Sequence, residues 1–366
     1  MPKRHSKSAI VAIAVTCAVA VVASACSSGS GGSNSSAASS QSMSIDVGTG
    51  TPIVVHSSKP RIAWFGALAN LYVQAQAKGM QAEANRLGLR LTVFDSKFDP
   101  LTQMQQVQNA MQQGKFDAFI VDPFDGNAMC PVLSKQAPAK GIVVVTSAVT
   151  MCNHVLVNEG DASWTPGTLA QAGYQGAVGP NRQFFREVNK RESDGNKHVG
   201  LLLLGPALNA STLATAEALK QSKAAGEVSN VDVKYVVDTD FSTADGLAKT
   251  QALLQAHPEI DTIMTLYSDV TVGAITAVQK AGLKGKVKIY DQGASTEAIN
   301  ALKSGNIEMT TAFHPYGLGV AAIDLISEAF AGKKVPRFVG AYLPGESLNS
   351  HLIIDASNMN TFTAEY

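Results

Sequence analysis

Residues 61–96 read RIAWFGALANLYVQAQAKGMQAEANRLGLRLTVFDS. The opening run RIAWFGA is apolar and rich in strand formers, so it predicts a buried strand. Tyr72 to Leu87 carries the 3.6-residue spacing of an amphipathic helix, and Gly88 supplies a left-handed stop. LRLTVFDS then predicts a second strand. Strand, helix and strand in this order form a βαβ unit, which the right-handed crossover rule closes into a parallel pair.

The pattern propagates along the chain. PLTQMQQVQNAMQQ predicts a helix ended by Gly114, followed by strand FDAFIVDPFD, a helix over 126–138 and strand GIVVVTSAV. Trp164 to Val188 reads as one long helical stretch. The series restarts at HVGLLLLG (198–205) and continues with helix 211–225, strand VDVKYVVD, helix 243–256, strand DTIMTLY, helix 270–281, strand KVKIYD and helix 295–304. IEMTTAFHPYGLGVAAIDLISEAFAG, FVGAYL and HLIIDAS supply closing elements. One sheet rarely absorbs so many units, so the expected fold is α/β, two doubly wound parallel-sheet lobes. Crossings between the lobes are expected near 162, 313 and 344. This assigns 58–162 with 314–343 to an N-terminal lobe and 163–313 with 344–366 to a C-terminal lobe.

The 366 residues, 45% hydrophobic and 16% charged, suffice for such a fold. The first 25 have a different character. Lys3, Arg4 and Lys7 precede an apolar stretch from Ile10 to Ala23, too short to span a bilayer comfortably, and Ala23-Ser24-Ala25-Cys26 resembles the bacterial lipobox. The expectation is a lipoprotein signal peptide over 1–25, lipidation of Cys26, and a Ser/Gly-rich tether over 26–57. The domain would then sit on the extracytoplasmic face of the bacterial cytoplasmic membrane, held by lipid. Removing three cations and no acid from a neutral chain leaves a net charge near −3, which argues against nucleic acid as a partner. Of the four cysteines, Cys17 leaves with the signal and Cys26 takes the lipid. Cys130 and Cys152 remain, and in an oxidising compartment they are expected to form a disulfide.

In doubly wound sheets ligands bind beyond the carboxyl ends of the strands. The residues expected there include Asn70, Tyr72, Ser147, Asn209, Phe241, Ser268, Asp291, Gln292 and His314. Trp164 follows the first expected crossing, where a ring could face the cleft. Neutral hydrogen-bonding groups mixed with aromatic rings suit a polyhydroxylated ligand. Asp122 and Asp125 read as helix caps, and in MTLYSDVTVGAI (264–275) Asp269 reads as the cap of the next helix.

Taken together, IAWFGALANLYVQAQAKGMQAEANRLGLRLTVFDS, FDAFIVDPFDG, LLQAHPEIDTIMTLYSDVTVGAITAVQKAG and AINALKSGNIEMTTAFHPYGLG resemble the ribose-binding group of type I periplasmic binding proteins, over residues 58–355. The resemblance implies two lobes on a three-segment hinge, closing on one sugar. It implies a solute-binding subunit of an ABC importer, acting as a monomer without a cofactor, with a neutral monosaccharide or polyol and the permease as partners. The family's first-loop Asn and aromatic fall on Asn70 and Tyr72, its later aromatic contact on Phe241, its Asn-Asp pair on Ser268-Asp269, and its ligand Asp on Asp291. Elsewhere the chain departs from the pattern. Ser147-Ala148 replaces an Asp-Arg pair, Leu213 stands near where an Arg is expected, and Phe313 replaces a Gln with His314 beside it. Both guanidinium forks on ring hydroxyls are absent, which favours a ligand other than ribose. A lipid-anchored sugar sensor would use the same closed surface. No GxSxG, HExxH, GxxxxGK[ST] or GxGxxG motif supports an enzyme. The place of a repressor's helix-turn-helix is taken by the lipobox and tether.

Overall fold

The computed structural model describes residues 42–152, 164–173, 177–340, 346 and 350–366. The signal peptide, Cys26 and the crossing expected near 344 lie outside the described residues. In chain order the elements are β1 (Met43–Ile45), β2 (Ile53–Val55), β3 (Arg61–Gly66), α1 (Leu71–Leu87), β4 (Arg90–Asp95), α2 (Pro100–Gln113) and β5 (Ala118–Val121). Helix α3 (Gly126–Pro131) runs through a π-helical turn (Val132–Gln136) into α4 (Ala137–Ala139), followed by β6 (Val143–Ser147) and β7 (Ala170–Ala172). The second half comprises α5 (Val178–Arg191), β8 (His198–Leu203), α6 (Ala210–Ala224), β9 (Val231–Val237), α7 (Thr243–Ala256), β10 (Thr262–Thr265), α8 (Ser268–Lys280), β11 (Lys288–Gly293), α9 (Thr296–Lys303) and β12 (Met309–Ala312). It closes with α10 (Pro315–Phe330), β13 (Phe338–Val339) and β14 (Ile353–Ile354).

Two six-stranded sheets result, ordered β13-β7-β6-β5-β3-β4 and β14-β12-β11-β10-β8-β9. Every pair in the first is parallel, and in the second only β14 runs antiparallel. Strands β5 and β6 are buried at every position, as both faces of a helix-covered parallel sheet must be. Helix α1 begins where the Asn70 side chain accepts from the Val73 N–H at 3.0 Å. It ends at Gly88, whose φ of 67° lets its N–H reach back to Ala84 and Asn85. Strand order reverses between β4 and β5 on either side of β3, and between β9 and β10 on either side of β8. Each reversal opens a crevice at the carboxyl ends.

Two sequence expectations are corrected here. Residues 43–55, assigned to the tether, form the β1–β2 hairpin, with Ile45, Val47, Ile53 and Val55 buried in the main core. Arg337 ties the hairpin down by pairing with Asp46 at 2.6 Å. The short alternation of β-branched residues around a Gly/Thr turn was masked by the polar composition next to it. The helical stretch read over 164–188 also fails at its start. Strand β7 pairs with β6 and β13 and the helix begins only at Val178, so residues 170–172 belong to the first lobe and the crossing expected near 162 comes after them. A three-residue strand, Ala-Gln-Ala, carries no periodicity to detect.

Cys130 and Cys152 are joined by a disulfide with their Cα atoms 5.0 Å apart. It clips the end of α3 to the segment after β6, and a loop of this size stabilises by about 3 kcal/mol.

Candidate functional site

The two crevices face one another across a pocket lined by Tyr72, Val73, Phe98, Asp122, Phe124, Ala148, Val149, Asn209, Phe241 and Tyr267, with about 380 Å³ of atom-free space including its open mouth. Each lining residue follows the carboxyl end of a strand: β3, β4, β5 and β6 in one lobe, and β8, β9 and β10 in the other. Rings meet across the lobes, Tyr72 with Tyr267 at 5.7 Å and Phe98 with Phe241 at 6.0 Å between centroids. Phe98, Ala148 and Phe241 have φ of 57°, 59° and 65°, so three of the six left-handed non-glycine residues among the described residues line this one pocket. Such backbone is held against its own preference by surrounding structure. At Phe241 the hold is visible, because the Thr239 hydroxyl accepts its N–H at 3.2 Å. The tip of its ring also sits against Gly205, where a Cβ would come within 2.0 Å of Cζ.

Asp122 is the only charged side chain in the wall among the described residues. It accepts from Gln76 Nε2 at 3.2 Å and from the Ser147 hydroxyl, and Gln76 also donates to Ser147 at 3.2 Å. Burial pushes its carboxyl up to about 7, against the lowering effect of the hydrogen bonds from Ser147 and Gln76. Burial likewise raises the Tyr72 phenol well above its ordinary value, with the charges of Asp122 and Glu365 adding to the effect, so Tyr72 is a neutral phenol. The pocket therefore offers five aromatic rings, one carboxyl poised between its two forms, and the Asn209 amide.

The expected site residues divide into three groups. Tyr72, Asn209 and Phe241 line the pocket. Asn70 stands at the start of the helix that carries Tyr72, and its buried Nδ2 has no hydrogen-bond partner among the described residues. Ser147, Ser268, Asp291 and Gln292 form a layer beneath. Ser147 supports Asp122, Gln292 donates to Asn181 at 3.0 Å, and Asp291 accepts from Ser268 at 3.0 Å, from Thr310 at 2.5 Å and from Thr271. Asp291 is fully buried, and its acceptor positions are largely taken within its own lobe. His314 and Trp164 lie elsewhere. His314 bonds Glu346 at 2.8 Å beside the second crossing, while Trp164 stacks 4.4 Å from the Arg337 guanidinium and packs on Gly48 of the hairpin.

Of the three acids expected to cap helices, one does so and two do not. Asp125 caps α3 by accepting from Asn127 and Ala128, each at 3.0 Å, whereas Asp122, one residue past the end of β5, faces the cleft. Asp269 does not cap α8, which starts at Ser268, two residues earlier than expected, with Tyr267 at the N-cap. Its Oδ2 is buried without a partner among the described residues, and burial beside Glu297 and Asp291 pushes its carboxyl to about 6. Phe98, Phe124 and Tyr267 are pocket residues the sequence did not single out. Phe98 had one usable signal, its place between the end of a strand and Asp99, which caps the next helix.

Two α/β lobes whose strand ends enclose a small, largely neutral pocket define a solute-binding fold of the two-lobed kind. Residues 65–334 match the model of the periplasmic binding protein domain, and the chain belongs to that family. The ribose import binding protein of Bacillus subtilis is 25% identical over 284 residues, covering 76% of this chain and 84% of that protein. The fructose import binding protein of Bifidobacterium longum is 24% identical over 298 residues, covering 80% and 81%. Among solved structures, an ABC transporter solute-binding protein from Bacillus halodurans with bound myo-inositol superposes with a TM-score of 0.71 at 19% identity, covering 85% of this chain and all of that one. One from Actinobacillus succinogenes with bound D-allose gives 0.69 at 20% identity, covering 83% and 100%. At these identities the structural likeness establishes the fold.

Proposed function

We propose that this protein is the extracytoplasmic solute-binding lipoprotein of an ABC importer, capturing a neutral monosaccharide or polyol between its lobes and delivering it to a membrane permease. The carrying observation is the pocket wall: rings from both lobes for C–H faces, Asp122 and Asn209 for hydroxyls, and no cation among the described lining residues to meet a carboxylate or phosphate. An amino acid or nucleotide would leave its anionic group unpaired, at a cost of several kcal/mol. The relatives named for ribose and fructose import, and the fold-mates holding inositol and allose, support the same ligand class. The missing guanidinium forks separate this site from the ribose pattern. Because rings and polar groups come from both lobes, ligand contacts are complete only when the lobes are closed, and binding favours that state.

Anchoring through Cys26 is part of the proposal, resting on the lipobox-like Ala23-Ser24-Ala25-Cys26. No helix among the described residues is long and apolar enough to cross a membrane. Cys26→Ser is expected to block processing and leave the diacylglyceryl mass absent from the protein. Unchanged processing and membrane retention in that variant would refute the anchor. The ligand class is tested by calorimetric titration of the purified protein against sugars, polyols, amino acids and nucleosides.

A further inference from the structure

Residues 361–366, after β14, alternate outward and inward, with Phe362, Ala364 and Tyr366 turned in and packed on the main core. The run ends between the lobes. The Tyr366 hydroxyl donates to the Gly293 carbonyl at 2.9 Å, at the end of β11. Its own carbonyl accepts from the Thr296 N–H at 2.6 Å and the Thr296 hydroxyl at 2.8 Å, at the start of α9. These partners belong to the C-terminal lobe. On the other side the Tyr366 ring meets the Tyr72 ring edge-on, 5.8 Å between centroids. Glu365 accepts from the Tyr316 and Gly317 N–H groups, at 2.7 and 3.3 Å, in the first turn of α10, which packs on α1.

The position of the phenol bears on the ligand. A Cβ built on Gly293 would lie 2.4 Å from the Ser268 hydroxyl oxygen and 2.7 Å from the Tyr366 hydroxyl oxygen, so the two oxygens share one small volume. Ser268 in turn bonds Asp291. The Tyr366 side chain therefore stands over the Ser268–Asp291 layer, between it and Tyr72 of the pocket wall. Burial raises its phenol well above the ordinary value, with the charge of Asp291 adding to the effect, so it is a neutral, space-filling group.

We infer that Tyr366 is a specificity-determining residue: it fills the inner end of the cleft, keeps ligand off Ser268 and Asp291, and confines it to the pocket walled by Tyr72, Asp122, Asn209, Phe241 and Tyr267. This rests on the reading of the cleft as a carbohydrate site. The consequence is a size limit. With the phenol in place the cleft takes a short polyol or single sugar ring, and with the phenol removed the space beneath it joins the pocket and exposes the Gly293 carbonyl and the Ser268 hydroxyl to further ligand hydroxyls.

The test is a size ladder of glycerol, erythritol, a pentitol, a pentose, a hexose, a cyclitol and a disaccharide, titrated by calorimetry into wild-type protein and Tyr366→Ala. Should Tyr366→Ala fail to fold, Tyr366→Leu, shorter but apolar, reads the same ladder. The expected result is a shift of the optimum up the ladder, with at least a tenfold gain for a ligand larger than the wild-type optimum. A variant that binds a ladder member when wild type binds none would equally show the phenol acting as a plug. If wild type binds and the variant's affinities all stay within twofold, or all vanish, the inference is overturned while the carbohydrate reading stands. If neither protein binds any member, both fall.

Discussion

Asp122→Ala is expected to weaken ligand binding about a hundredfold at pH 8, because it removes the one charged acceptor in the wall, and a hydrogen bond to a charged group is worth roughly 1.5–3 kcal/mol. The same residue sets a pH dependence whose sign differs between stability and binding. Its folded carboxyl sits at about 7 against an ordinary value of 3.8. Between those values the folded chain holds a proton that the unfolded chain has lost, so stability declines as pH rises. The contribution is complete below about pH 4 and gone above about pH 7, and its span is of order 4 kcal/mol. Ligand affinity moves the other way. The carboxylate accepts from two hydroxyls where the acid accepts less well, so affinity should fall about tenfold between pH 8 and pH 6. Asp122→Asn keeps an oxygen for Gln76 and Ser147 and should flatten the affinity profile, while the stability profile becomes shallower but keeps the part set by Asp269. Calorimetric titrations and thermal melts at pH 5, 6, 7 and 8 check this. An affinity profile that stays pH-dependent in Asp122→Asn would assign the titration to another group.

Gly79→Ala should destabilise the protein by about 3 kcal/mol, although alanine is the better helix former by about 1 kcal/mol. The reason is a helix crossing with no room for a Cβ on either side. At Gly79 the added atom would lie 2.1 Å from the Tyr316 carbonyl oxygen, and at Gly319 it would lie 2.2 Å from that of Gln76. Both obstacles are backbone, so no side-chain rotation relieves them, and α1 and α10 must separate. Because α1 carries Asn70, Tyr72 and Gln76, ligand affinity should fall as well. A melting temperature lowered by roughly 10 °C is expected. A gain in stability would show that propensity outweighs the close approach.

Much of this architecture is legible in the residues, for an identifiable reason. Strands buried on both faces read as apolar runs such as AFIV and the VVV of β6, and helices such as α1 are bracketed by an Asn cap and a left-handed glycine. Legibility fails where an element is too short to show a period, as in β7, or where a few β-branched residues adjoin polar low-complexity sequence, as in β1 and β2. At the site, strand-end position located Tyr72, Asn209 and Phe241. It could not tell a side chain facing the cleft from one turned into its own lobe. Asp122 and Asp291 both stand at or just after strand ends, and only the hydroxyls of Ser268, Thr271 and Thr310 around Asp291 show that it points inward. Tyr366 had no sequence signal at all, because its partners Tyr72, Gly293 and Thr296 lie 70 or more positions away along the chain.

The central claim is that the cleft holds a neutral polyhydroxylated ligand, and direct titration of the purified protein is its most direct test. A panel of pentoses, hexoses, polyols, amino acids and nucleosides should yield binding by a sugar or polyol alone, with a micromolar dissociation constant, equivalent to about −8 kcal/mol. Binding of amino acids or nucleosides with no response to any carbohydrate would contradict it.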